Sequence, residues 1–138
     1  MSETSERREK ALECFSKGYN CAQSVVLAFS DLLPIDAINA AKLASPFGGG
    51  MGRMREVCGS VSGMYMVLGF LQGYSDPKDP GARPELYSAV RSLAEEFRSK
   101  HGSILCRELT SPPLAKAHSC STLVGDAAEM LEKLLAKE

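Results

Sequence analysis

Phe47-Gly-Gly-Gly-Met-Gly-Arg-Met-Arg-Glu-Val-Cys-Gly-Ser-Val-Ser-Gly-Met-Tyr-Met-Val-Leu-Gly-Phe70 is the stretch on which the reading of the fold turns. Four glycines hand over to two arginines and a glutamate, and then Cys58 stands at the head of a run, Val57 to Leu71, that carries no charge. That run is shorter than the ~20 residues a membrane-crossing helix needs, so it predicts a helix buried in a protein core, from about Glu56 to Gln72. Val57, Val61, Met64, Tyr65, Leu68 and Leu71 form its broad apolar face. Gly59, Ser62, Gly63, Met66 and Gly69 form the other side, where small residues let neighbouring helices come close. Interior glycines cost a helix roughly 1 kcal/mol each against alanine, which close packing or a ligand must offset.

The segments on either side are helical too. Residues from about Ser5 to Lys17 suit an amphipathic helix closed by Gly18. Asn20 is a predicted N-cap with Gln23 three positions on, and Cys21, Val25, Phe29 and Leu32 then draw one apolar stripe that ends at Pro34. Asp36 caps a short helix through Ala44, stopped by Ser45-Pro46. After a surface loop over residues 73 to 83, Pro84 opens a helix with Leu86, Val90, Leu93 and Phe97 inside, ending at Gly102. Ser103 is placed to cap a short turn carrying Cys106, and Ser119 to cap a last helix whose stripe is Cys120, Val124, Ala127, Leu131 and Leu134. No β-branched run of strand length offers a sheet. The expected architecture is all-α: one compact domain, residues 1–138, of five or six helices packed around the 56–72 helix.

Composition narrows the function. With 16 basic against 17 acidic residues and no basic block, nucleic acid is excluded as the expected partner. The charged N-terminus has no apolar segment before a cleavage site, which predicts a cytoplasmic chain. In that compartment five cysteines, Cys14, Cys21, Cys58, Cys106 and Cys120, point to metal or redox work in preference to structural disulfides.

Cys21, Cys58 and Cys120 each fall in the first turn of a predicted helix and Cys106 at or near one. Amide groups and the helix dipole there are expected to lower the thiol pKa. The spacing lacks the Cys-x-x-Cys pairs of zinc ribbons, ferredoxins and thioredoxins. Gly48-Gly-Gly-Met-Gly52 with Arg53 and Arg55 supports a different reading, an anion or nucleotide module with Gly49, Gly50 and Arg53 as contacts, although it lacks the third glycine of a dinucleotide fingerprint. A helical subunit of an electron-transfer assembly is the third reading, and the small-residue face equally suits a homodimer. His101 reads as a residue answering a helix C-terminus, and His118, two before Cys120, as an extra ligand candidate. No serine or carboxylate motif for hydrolysis stands out.

Gly18-Tyr-Asn-Cys21-Ala-Gln-Ser-Val, the glycine and Cys58 block through Val67-Leu-Gly69, Cys106-Arg-Glu-Leu and Cys120 resemble, in that order, the redox-active protein family named for its C-GCAxxG-C-C cysteine signature. The resemblance implies that Cys21, Cys58, Cys106 and Cys120 are the signature thiols and that Cys14 lies outside the set. Ser60 stands where the family name leads one to expect alanine. The implied chemistry is redox: four thiols holding an iron–sulfur cluster or another soft metal, or cycling as dithiol and disulfide, with Cys58 and Cys21 as reacting thiols and a redox partner protein supplying electrons.

Overall fold

A computed structural model describes residues 5–137. It contains eight helices among those residues: α1 (Glu6–Ser16), α2 (Cys21–Leu27), α3 (Ala37–Ala44), α4 (Gly59–Gln72), α5 (Ala82–His101), α6 (Cys106–Leu109), α7 (Leu114–Ala117) and α8 (Cys120–Ala136). Six have seven residues or more, as periodicity predicts, and α6 and α7 are single turns. No helix among the described residues is long and apolar enough to cross a membrane.

Local chemistry sets most boundaries. Asn20 and Gln23 form the full capping box, each side chain bonding the other's amide, so α2 starts on Cys21. Asp36 accepts from the Asn39 amide and Ser119 from the Thr122 amide. The end of α1 is a Schellman turn: Gly18, at φ 104°, donates to Phe15 O and Tyr19 donates to Cys14 O. Gly102, at φ 93°, closes α5.

Two expectations change. First, α2 is short; a 3₁₀ turn over Ser30–Leu32 follows, so Phe29 stays fully buried while Leu32, on the continuation of the stripe, is exposed. Second, the uncharged helix starts at Gly59 instead of Glu56, because residues 55–58 are drawn into backbone pairing with residues 104–107. Val57 and Leu105 form an isolated antiparallel bridge, Cys58 donates to Ile104 O at 2.8 Å, and Cys106 donates to Glu56 O at 2.6 Å.

The small-residue face of α4 packs on α2, so these two helices share the centre of the fold. A Cβ on Gly63 would lie 2.9 Å from Val25 Cβ and 3.0 Å from Ala22 O, closer than side chains pack. The face thus serves contacts inside the chain as far as Gly63, while Gly69 is exposed with nothing within 4 Å of its Cβ position. Helix α8 closes the core against α1, α2, α4 and α5 with Val124, Ala127, Ala128 and Leu131, all fully buried.

His101 is the last residue of α5, as the sequence led one to expect, and at 1% exposure its ring lies in the core. Its Nδ1 meets His118 Nδ1 at 3.1 Å, and its Nε2 approaches Asp126 Oδ2 at 3.0 Å, out of line for a hydrogen bond. Asp126, itself buried, also pairs with Arg8 and with Lys100 at 3.4 Å. His118 is therefore engaged with His101, and it does not line the cysteine cavity described below.

Burial lowers the His101 pKa from its ordinary value, with His118 and Lys100 acting in the same direction, and it outweighs the pull of Asp126. The fold therefore favours neutral imidazole. Unfolding takes up a proton between the folded and free values, so this contribution is complete above the free value and is lost as pH falls from there through the lowered folded value. The melting temperature should drop on acidification from pH 7.5 to 5.5, and His101→Gln should flatten that dependence. A flat wild-type profile would contradict this account.

Candidate functional site

The glycine segment builds the first wall of the site. Residues 49 to 53 are consecutively left-handed: Gly49 (φ 65°), Gly50 (69°), Met51 (67°), Gly52 (64°) and Arg53 (66°), with Arg55 at 61°. For a residue with a side chain this conformation costs roughly 1–2 kcal/mol, so Met51, Arg53 and Arg55 must be held from outside. Hydrogen bonds do so: Gly52 donates to Gly48 O at 3.0 Å, Arg55 to Gly49 O at 3.2 Å and Glu56 to Gly50 O at 3.0 Å. At Gly50 a Cβ would fall 2.6 Å from Cys106 Cβ, so the glycine lets the cysteine lie directly on the turn.

The bridge at Val57 and Leu105 supplies the second wall. Residues 58 and 106 flank the bridged pair, and alternation along the two strands puts both on one face. Cys58 becomes the N-cap residue of α4, one position outside the first turn, and its side chain makes no capping bond. Cys21, the first residue of α2, packs against the next residue: a Cβ on Gly59 would lie 2.4 Å from Cys21 Sγ. Cys120, the first residue of α8, is exposed.

All four of these cysteines line one cavity of about 310 Å³. Phe15, Leu109 and Leu123 give it apolar walls, and Asn20, Ser60 and Thr110 add polar groups. Gly49, Arg53 and Arg55 line it as well, so the residues of the anion reading and those of the thiol reading share one site. Gly50 is not part of the lining and acts from behind, through Cys106. Cys14 is partly buried outside the cavity. Arg55 donates to Thr110 Oγ1 at 3.0 Å, and neither Arg53 nor Arg55 has a carboxylate partner among the described residues.

The electrostatics reverse the sequence expectation of acidified thiols. Burial pushes the Cys58 thiol up to about 12, and Cys21 adds to the rise; the amides of Ser60 and Val61 and the Ser60 hydroxyl oppose it without overcoming it. Cys106 and Cys120 are also raised, first by burial and then by neighbouring cysteines, with Arg55 opposing at Cys106. Desolvation beats the helix terminus here because each thiolate would carry its charge into a partly apolar cavity already lined by sulfur. Cys58, Cys106 and Cys120 are therefore held as neutral thiols until a cation or oxidation compensates them.

Ser60 was legible only as a size change, yet it carries an unusual feature. It is fully buried, and its hydroxyl makes no hydrogen bond of normal geometry although it stands close enough to the Cys58 sulfur to favour the anion.

Among the described residues, no three His, Cys, Asp or Glu side chains close to the spacing of a single metal ion. The donors are nonetheless soft, and all four line one cavity, so their chemistry suits a thiolate-bound metal. A family model described as "Putative redox-active protein (C_GCAxxG_C_C)" matches residues 19–134. No curated protein and no solved structure matches the chain.

Proposed function

Because the chain belongs to the redox-active protein family with the C-GCAxxG-C-C signature, we propose that Cys21, Cys58, Cys106 and Cys120 together form one electron-transfer site, holding a soft-metal cluster of the iron–sulfur class. The observation that carries this reading is the convergence of four thiols, from four separate helix starts, on a single cavity. When bound, such a cluster supplies one-electron transfer. The chain's own part is to present the sulfurs, exclude water through Phe15, Leu109 and Leu123, and balance charge. Four thiolates leave a cluster site net negative, and Arg53 and Arg55, with no carboxylate partner among the described residues, stand in the same lining to offset it. Cys120, the exposed member, faces the side from which a redox partner protein would approach.

One observation favours a second reading within the same site. Cys21 Sγ lies against Gly59, the residue after Cys58, which makes those two thiols the natural couple for reversible oxidation: two thiols give one disulfide and two protons, and their two electrons pass to the oxidised redox partner protein.

Anaerobic purification and reconstitution with iron and sulfide, followed by metal and sulfide analysis and thiol counting before and after reductant, tests the proposal. Bound iron and sulfide with the four thiols protected is the expected result. A metal-free protein that loses two thiols on oxidation and regains them on reduction would replace the cluster with the disulfide couple. No metal, with five thiols titrating freely under all conditions, would overturn both.

A further inference from the structure

We infer that Ser60 is a positioning residue of the thiol site, held in the fold so that its hydroxyl can donate a hydrogen bond to the Cys58 sulfur once that sulfur is ligated. This deepens the cluster reading and rests on it.

A fully buried hydroxyl with no hydrogen bond of normal geometry among the described residues loses its hydration for little return, and serine at that position should be worse than alanine in the reduced chain. The residue lines the cavity, and it sits two positions after Cys58, which is the N-cap of α4. Cys58 and Ser60 line the same cavity, and the Ser60 hydroxyl stands near enough to the Cys58 sulfur to favour its anion, so the two side chains are neighbours. A neutral thiol is a weak acceptor and does not draw the hydroxyl into a proper bond. A metal-bound thiolate is a strong one. The orphan is therefore an orphan only in one state of the site. A hydrogen bond onto a ligating sulfur withdraws negative charge and favours the reduced, more negative cluster, which raises the reduction potential.

The sign of two measurements follows. Ser60→Ala removes the unsatisfied hydroxyl, so the reduced, metal-free protein should melt at a higher temperature than wild type. In the reconstituted protein the same substitution should lower the midpoint potential and leave iron and sulfide content unchanged. A merely structural role for Ser60 would move the melting temperature down and would not move the potential. If Ser60→Ala lowers the metal-free melting temperature, or if its potential equals that of wild type, the inference is overturned. If wild type takes up no cluster, the proposed function fails first, and the potential arm has no object; the melting arm still decides whether the hydroxyl is unsatisfied in the free chain.

Discussion

Replacing Gly59 by alanine should cost the protein about 2 kcal/mol and, at the same time, push Cys21 out of the cavity. The added Cβ would lie 2.4 Å from Cys21 Sγ, 2.9 Å from Phe47 O and 3.1 Å from Ala22 N. A sulfur at the end of a side chain can rotate away, but a carbonyl oxygen and an amide nitrogen of the backbone cannot. Helix α2 must then move off α4, at the 1–3 kcal/mol typical of an overpacked core. The better helix propensity of alanine returns less than about 1 kcal/mol of that, since the position is the first of the helix and propensity acts mainly in the interior. Gly69→Ala is the internal control. Nothing lies within 4 Å of its Cβ position, so the same exchange ten residues along the same helix should stabilise by up to about 1 kcal/mol. Chemical denaturation of the two variants checks the contrast. Equal effects would mean that the close approach of α2 to α4 is not what positions Cys21.

This contrast also shows where sequence reading succeeds and where it stops. The caps at Asn20, Asp36 and Ser119 were legible because each is a bond between residues three apart. The small face of α4 was legible as a need for close packing, though not as a choice of partner: Gly59 and Gly63 meet α2, and Gly69 meets nothing. The start of α4 was misplaced by three residues because the Glu56 carbonyl accepts from Cys106 and the Cys58 amide donates to Ile104, both far along the chain. No local pattern announces such a bridge. Four glycines signalled an unusual turn, but a left-handed run through Met51 and Arg53 depends on hydrogen bonds made elsewhere in the segment. The thiol pKa failed for the same kind of reason. A helix N-terminus is visible in sequence, whereas burial belongs to the finished fold, and at Cys58 burial wins.

The largest functional effect should come from Cys58→Ser. Among the four thiols of the cavity Cys58 is the only buried one, at 6% exposure, and it lies where the two walls of the site meet: its amide donates to Ile104 O and its carbonyl starts α4. Serine keeps the shape but is a hard oxygen donor in place of a soft sulfur. Iron and sulfide uptake should therefore fall at least a hundredfold, beyond the 10–100-fold usual for groups that only support a ligand. Cys21→Ser, Cys106→Ser and Cys120→Ser should each lose the cluster as well, Cys120→Ser least, since its exposed position lets water or an added thiol take the vacant corner. Cys14→Ser should load like wild type, because Cys14 lies outside the cavity. Stability separates this from unfolding: a buried serine hydroxyl at position 58 costs about 1–3 kcal/mol in the metal-free chain, and circular dichroism should still show a folded helical protein. Full loading of Cys58→Ser would remove Cys58 from the site, and loss of loading in Cys14→Ser would mean that the thiols act through a fifth sulfur that the cavity does not contain.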